Sequence, residues 1–138
     1  MKEIEVRILN RWDDMPVATS MLNRFGADNG LAPSILHNLN VVLDEALNNI
    51  IAYGYDEGAH GDIMVRLEYR DDRIELVIED RGRMFDPRQV PSPDLDAPLR
   101  ARKVGGLGVH FMRSLMDDIT YARVGDKNRL MLTKKLTS

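Results

Sequence analysis

The central stretch of the chain, from Asp62 to Glu79, reads DIMVRLEYRDDRIELVIE. Apolar and polar residues alternate on both sides of the Asp71-Asp72 pair, which is typical of two strands that each bury one face. The polar pair predicts a tight turn, although it lacks the Asn-Gly or Asp-Gly sequence that hairpins favour. These residues therefore predict an antiparallel β-hairpin in the middle of the chain.

Similar alternation predicts strands near both ends of the chain. Residues Glu3 to Leu9 alternate apolar and charged side chains, which indicates one half-buried strand. Residues 119–124 and 129–136 alternate on either side of Gly125-Asp126 and predict a second hairpin. Five strands are therefore expected.

Apolar residues at helical spacing predict three helices. The first should run from Asp13 or Asp14, either of which is a suitable cap, to about Asp28. Ser34 is the expected cap of the second, which runs to about residue 52, and the third covers about 107–116. The apolar stripe expected on the first helix consists of Val17, Met21, Leu22 and Phe25.

The order of these elements predicts the fold class. Consecutive strands joined by tight turns favour antiparallel pairing. Helices gathered on one face of such a sheet form a two-layer sandwich. We therefore expect an α+β fold with a mixed, mostly antiparallel sheet and helices on one face, in a single domain over residues 1–138.

Composition narrows the function classes. Hydrophobic residues make up 43% of the 138 residues and charged residues 30%, as in ordinary globular domains. The net charge of −3 offers no broad attraction to nucleic acid or to a membrane surface, so neither is an expected partner. The chain has no cysteine, which excludes thiol chemistry and fits a cytoplasmic location.

The second predicted helix carries a carboxylate and an amide one turn apart. Glu45 and Asn49 differ by about 40° around the helix axis, and both lie off its apolar stripe. An amide oxygen suits Mg²⁺, and a carboxylate can accept a proton from an attacking hydroxyl group. Either residue alone could equally be part of a solvated helix face.

The central hairpin ends in a second candidate motif. Asp80 closes the strand and could accept a hydrogen bond from the exocyclic amine of a purine. Gly82 would let the backbone approach the ring closely, and Phe85 adds an apolar anchor before Asp86-Pro87. A plain strand-terminating turn would explain the same residues taken alone.

A glycine-rich segment precedes the third predicted helix. Gly105-Gly106-Leu107-Gly108 would present backbone N–H groups and the positive end of the helix dipole to an anion. Neither the Walker phosphate-binding loop nor the dinucleotide-binding fingerprint is present. Residues 88–104 are rich in proline and predict a lid, from which Arg100, Arg102 and Lys103 could reach phosphates.

In this order, the three motifs resemble those of the GHKL ATPase superfamily. Glu45-x-x-x-Asn49 is similar to its N-box, and Asp80-x-Gly82-x-x-Phe85-Asp86-Pro87 to its first glycine box. The segment from Gly105 to Gly108 is similar to its second glycine box. The resemblance covers nearly the whole chain and is nearest to the small anti-sigma-factor serine kinases of bacterial partner-switching systems.

Two positions depart from the pattern of that group. Tyr53 stands where its members often carry histidine, and Asn128-Arg129 occupies the region of a late Gly-Thr pair. The second departure argues against a water-bridged threonine at the adenine.

The resemblance implies a Bergerat fold, ATP and Mg²⁺. It also implies transfer of the γ-phosphoryl group to a serine or threonine of a STAS-type anti-anti-sigma protein, binding of a sigma factor, and a homodimer. Glu45 would be the general base, Asn49 the Mg²⁺ ligand and Asp80 the adenine reader. The remaining residues expected to bind the nucleotide are Gly82, Phe85, Lys103, Gly105, Gly106, Leu107 and Gly108.

Two alternatives stay open at this point. One is a nucleotide-binding switch that sequesters a partner without phosphorylating it, although the presence of Glu45 disfavours this function. The other is a stand-alone catalytic domain of the histidine-kinase type. The 138 residues leave no room for the helical hairpin that would carry its phosphoacceptor histidine, so the acceptor would be a separate protein.

Overall fold

The computed structural model describes residues 2–56, 58–89 and 106–136. Within these ranges the chain forms five strands and three α-helices in the expected order. The strands are β1 Glu3–Leu9, β2 Asp62–Arg70, β3 Arg73–Asp80, β4 Asp118–Val124 and β5 Lys127–Lys135. The helices are α1 Met15–Asp28, α2 Pro33–Asn49 and α3 Gly106–Leu115.

The strands form one sheet in the order β1-β2-β3-β5-β4, and each of the four described pairings is antiparallel. Strand β3 is therefore central, and its last residue, Asp80, lies opposite Asn128 of β5. The predicted α+β class, a mostly antiparallel sheet under a helical layer, is confirmed.

The core lies between the sheet and the three helices. Helix α2 packs against both α1 and α3, so the helices form one layer. Alternate residues of the inner strands face this layer, as the sequence pattern requires. The largest fully buried side chains are Phe25, Leu22, Leu39, Leu43, Leu47, Ile63, Leu67, Ile74, Leu76, Ile78, Met112 and Leu132. None of the described helices has the length and apolar character needed to cross a membrane.

The hairpin between β2 and β3 uses an uncommon turn sequence. Asp71 and Asp72 adopt φ angles of 54° and 58°. Two consecutive left-handed residues match the twist of the flanking strands, and aspartate tolerates this region better than most non-glycine residues. The predicted hairpin is thus confirmed with a turn that requires neither asparagine nor glycine.

The buried face of α1 differs from the prediction, whereas its start does not. Asp14 occupies the N-cap position, although its carboxylate accepts hydrogen bonds from the Leu9 N–H at 2.9 Å and from Arg11 at 2.7 Å and makes no capping bond to the helix. Val17 is 49% exposed, whereas Ala18 is fully buried. The prediction of Val17 as a core residue is therefore wrong, whereas Met21, Leu22 and Phe25 are buried as predicted; the buried stripe begins at Ala18 and leaves Val17 at its edge.

The predicted cap of α2 is also wrong. Ala32 occupies the N-cap position, Pro33 opens the helix, and Ser34 lies inside its first turn. Proline is favoured at the first helical position because the N–H group that it lacks would have no partner there. After Asn49 the chain continues as a π-helical turn, Ile50–Gly54, which lies beside the candidate site.

Candidate nucleotide-binding site

A cleft of about 670 Å³, including the open space at its mouth, lies where α2, β3, β5 and α3 meet. Its wall is mainly apolar and includes Ile50, Met112 and Leu130. Met84 and Phe85 also line it and remain exposed, Phe85 to 42%. A largely apolar cleft with a few polar groups is the usual form of a small-molecule site.

Three polar side chains are buried in the described part of the chain, and all three line this cleft. They are Asn49, Asp80 and Asn128, which are 8%, 6% and 5% exposed. Burying a polar group is unfavourable unless it finds a partner, so buried polar groups are normally satisfied. Their convergence on one cleft marks it as the candidate functional site.

Only one of the two carboxylate oxygens of Asp80 accepts hydrogen bonds from described residues. Its Oδ1 accepts hydrogen bonds from the Gly82 N–H at 2.7 Å and from Asn128 Nδ2 at 3.0 Å. No described residue donates to its Oδ2. Burial raises the pKa of Asp80, while these two hydrogen bonds and the Arg123 charge oppose the rise. The structure thus places the predicted adenine reader at the end of β3 with one acceptor oxygen free.

Asn49 carries an unsatisfied amide. Its Nδ2 is buried and has no hydrogen-bond partner among the described residues. Asn49 lines the cleft, and its amide oxygen could serve a hard cation there. No cluster of three or more His, Asp or Glu residues in the described ranges could hold a metal by itself. This environment fits a Mg²⁺ ion held mostly by phosphates and water.

Glu45 lies one turn before Asn49 on α2. Its side chain is half-buried, is not part of the described wall of the cleft, and makes no hydrogen bond or ion pair with a described residue. Burial raises the pKa of Glu45, and the neighbouring Asp44 charge raises it further. A free carboxylate with a raised pKa is a stronger proton acceptor than an ordinary glutamate.

The structure gives a packing reason for glycine at position 82, which the sequence did not suggest. A Cβ atom at this position would lie 2.5 Å from the carbonyl oxygen of Gly54. That same oxygen accepts a hydrogen bond from the Arg83 N–H at 2.8 Å. The loop after β3 is thereby joined to the π-helical turn after α2, and this junction forms part of the cleft wall.

The second glycine segment is only partly described. Gly106, Leu107 and Gly108 form the first turn of α3, which contributes Met112 to the cleft. Gly105, Lys103, Arg100, Arg102 and residues 90–104 of the predicted lid lie outside the described residues. The predicted lid begins at Arg88, which belongs to a short 3-10 helix, Pro87–Gln89.

Sequence reasoning missed Asn128 as a site residue. It lies on the same face of β5 as Leu130 and Leu132, and it is buried as they are. Two side chains of β4, Tyr121 and Arg123, bond to its amide oxygen. An available signal was the polar residue at an inward-facing position of an alternating strand.

Comparison with known proteins identifies the family of this chain. Residues 8–134 match the histidine kinase-like ATPase domain family. The serine/threonine-protein kinase BtrW of Bordetella bronchiseptica is 36% identical over 95 residues, 69% of this chain and 67% of that protein. The serine-protein kinase RsbW of Oceanobacillus iheyensis is 26% identical over 120 residues, 84% of this chain and 76% of that protein.

A solved structure has the same fold. It is the crystal structure of the RsbU and RsbW domains of Rv1364c from Mycobacterium tuberculosis, with a TM-score of 0.71 and 14% sequence identity. The match covers 98% of this chain and 32% of that one, so this chain spans about a third of its length. The expected superfamily is thus confirmed by sequence and by fold: the chain belongs to the histidine kinase-like ATPase domain family.

Proposed function

We propose that this protein is an ATP-dependent serine/threonine protein kinase that acts as an anti-sigma factor. The observation that carries the proposal is the convergence of Asn49, Asp80 and Asn128 on one largely apolar cleft. The relatives named as serine-protein kinases support the kinase activity.

The cleft suits ATP as the substrate. The free oxygen of Asp80 would accept a hydrogen bond from the 6-amino group of adenine, and Ile50, Met112 and Leu130 offer apolar surface to the ring. Asn49 would hold Mg²⁺ through its amide oxygen. The ion would neutralise charge on the phosphates, and the first turn of α3 from Gly106 to Gly108 would supply N–H groups.

Glu45 would carry the proton transfer. The hydroxyl oxygen of the acceptor serine or threonine bonds to the γ-phosphorus, and the bond from that phosphorus to the β–γ bridging oxygen breaks. ADP leaves, and the hydroxyl proton passes to the Glu45 carboxylate. The raised pKa of Glu45 suits this role, because a general base works best when its pKa approaches the working pH.

The partners belong to the same proposal. The phosphoacceptor would be a STAS-type anti-anti-sigma protein, and the kinase would bind a sigma factor in the cytoplasm as a homodimer. A net charge of −3 gives no reason to expect direct contact with nucleic acid.

Incubation with γ-labelled ATP, Mg²⁺ and a STAS-type protein tests the proposal. We expect acid-stable label on a serine or threonine of that protein, and much slower labelling with Glu45→Gln. Acid-labile label on histidine would instead indicate a histidine kinase. Tight binding of ATP and of the partner without any transfer would indicate a sequestering switch.

A further inference from the structure

The amide of Asn128 can adopt only one orientation. Three carbonyl or carboxylate oxygens surround its Nδ2, and two donors surround its Oδ1. The acceptors are Arg83 O at 2.8 Å, Asp80 Oδ1 at 3.0 Å and Gly82 O at 3.3 Å. The donors are Arg123 Nη1 at 3.2 Å and the Tyr121 hydroxyl. A rotated amide would place its oxygen against three acceptors, so the NH₂ group must face Asp80.

This orientation determines which oxygen of Asp80 is available. Each carboxylate oxygen offers about two acceptor positions. Those of Oδ1 are used by the Gly82 N–H and by Asn128. Asp80 therefore faces the cleft as an acceptor with one free oxygen instead of two.

Purine bases differ in what they offer to such a group. Adenine presents a single donor, the 6-amino group, beside the N1 acceptor. Guanine presents two adjacent donors, N1–H and the 2-amino group. A carboxylate with both oxygens free binds two parallel donors, and this bidentate geometry adds strength and specificity. The two acceptor positions of a single oxygen diverge, so one free oxygen cannot face two parallel donors, and the second donor is left without a well-aligned partner, which is unfavourable in a buried site.

We propose that Asn128 is a specificity-determining positioning residue, which makes the cleft select adenine over guanine by occupying Oδ1 of Asp80. The inference rests on the proposed ATP site, and it concerns a residue that acts on the base only through Asp80. The same amide also holds the carbonyl groups of Gly82 and Arg83, so it fixes the turn that carries Asp80 into the cleft.

The first test measures ATP and GTP binding by calorimetry, for the parent and for Asn128→Ala. The substitution frees one acceptor position on Asp80 Oδ1, so the preference for ATP over GTP should fall about tenfold, as expected for a hydrogen bond to a charged group. Because both nucleotides are measured on the same preparation, a loss of folded protein cancels in the ratio. Arg129→Ala is the control, since Arg129 pairs with Glu79 at 3.4 Å and neither residue lines the cleft. It should keep the parent's preference.

The second test uses pH with Asn128→Asp. The titratable groups that touch this side chain among the described residues are Asp80, Arg123 and Tyr121. Two adjacent carboxylates share one proton, and the shared proton replaces the lost N–H donor. The variant should therefore prefer ATP at low pH, where the pair holds the shared proton, and lose that preference as the pH rises and the pair becomes fully ionised. The parent should prefer ATP at every pH tested.

The outcomes separate this inference from the proposed function. If the parent binds no ATP, the proposed function fails and the inference fails with it. If the parent binds ATP but does not prefer it to GTP, the inference alone is overturned. The inference is also overturned if the parent prefers ATP but Asn128→Ala and Asn128→Asp both keep the parent's ratio of ATP to GTP affinity at every pH. Asn128 then serves only the fold.

Discussion

At the level of single residues, the site stands out because it buries polar side chains. The described core is apolar apart from three polar side chains, and these meet at one cleft. An ionised carboxylate in such a place is unfavourable, and the direction of the Asp80 pKa reflects this. Groups of this kind commonly mark functional sites, because function can require what stability alone disfavours.

Glu45→Gln should lower the rate of phosphoryl transfer about 10²- to 10⁴-fold, the usual effect of losing a general base. ATP affinity should stay unchanged, because the substitution keeps the shape of the side chain. Burial raises the pKa of Glu45, so the parent's rate should fall with decreasing pH in a range above the ordinary value of 4.5. Initial rates measured across pH check both points.

Asp44→Asn is the matched control for Glu45. The Asp44 charge contributes to the raised pKa of Glu45, so its removal should move the fall in rate to lower pH. The plateau rate should remain close to that of the parent. Equal plateau rates for Glu45→Gln and the parent would exclude Glu45 as the base.

Asp80→Asn should weaken ATP binding about tenfold or more, because a charged acceptor is lost from the base. The same substitution should also change how the free energy of unfolding depends on pH. The pKa of Asp80 is higher in the folded state than its ordinary 3.8, so its contribution to stability is complete below that pH and is lost as the pH rises through the folded pKa.

Asparagine at position 80 does not titrate. The free energy of unfolding of Asp80→Asn should therefore increase relative to that of the parent as the pH rises from about 4 towards about 7. Urea unfolding of both proteins at several pH values measures this difference. A difference that shrinks with rising pH would mean that the folded protein favours the ionised carboxylate.

At the scale of elements, the cleft depends on a junction between two loops. Tyr53 O accepts a hydrogen bond from Arg83 Nη1 at 2.8 Å, and the Tyr55 hydroxyl accepts one from the Arg81 N–H at 3.0 Å. Arg83 also pairs with Asp56. The turn after α2 and the turn after β3 therefore form one unit, which keeps Asn49 and Asp80 at a constant separation.

Gly82→Ala should disrupt this junction. The added methyl group would lie 2.5 Å from a backbone carbonyl oxygen, which cannot rotate away as a side chain can. We expect a loss of about 1–3 kcal/mol in the free energy of unfolding, as for other overpacked positions, together with weaker ATP binding. Denaturant unfolding and calorimetry measure the two effects.

Gly54→Ala is the control from the other side of the same junction. A Cβ atom there would meet only a side-chain carbon of Ile50 at 3.6 Å, an ordinary contact. This variant should unfold within about 0.5 kcal/mol of the parent, the usual range for a tolerated change. If the two variants lost equal stability, the close contact at Gly82 would not be the cause.

At the scale of the whole molecule, the site exists only because distant parts of the chain assemble. Helix α2, strands β3 and β5 and helix α3 each contribute one wall of the cleft. A ligand that contacts all four binds the folded state and not the unfolded chain. Binding should therefore stabilise the entire domain and not one element alone.

ATP with Mg²⁺ should raise the melting temperature of the protein in a single cooperative transition. At a ligand concentration of 100 times Kd, the stabilisation is about 2.7 kcal/mol. Scanning calorimetry with increasing ATP checks this, with Asp80→Asn as the comparison that requires more ATP for the same shift. A melting temperature that did not change with ATP, in a protein shown to bind it, would contradict a site built from all four elements.

Local sequence pattern was enough to predict the elements and the order of the motifs. The alternation of residues 62–79 predicted β2 and β3 to within one residue, because side-chain direction along a strand depends only on local geometry. The same pattern correctly placed Asp80 at the end of its strand. Helical period located α2, and with it the one-turn spacing of Glu45 and Asn49.

The environment of Asp80, in contrast, depends on how the strands assemble. Asn128 is 48 residues away in the chain, and it reaches Asp80 because β5 pairs with β3 in a register that places them opposite each other. The pairing of β5 with β3, two strands that are not consecutive in the chain, depends on the assembly of the whole sheet and is not contained in the pattern of either strand alone. The burial of Ala18 in place of Val17 has the same origin, since the packing of α1 on the sheet selects the face that is buried.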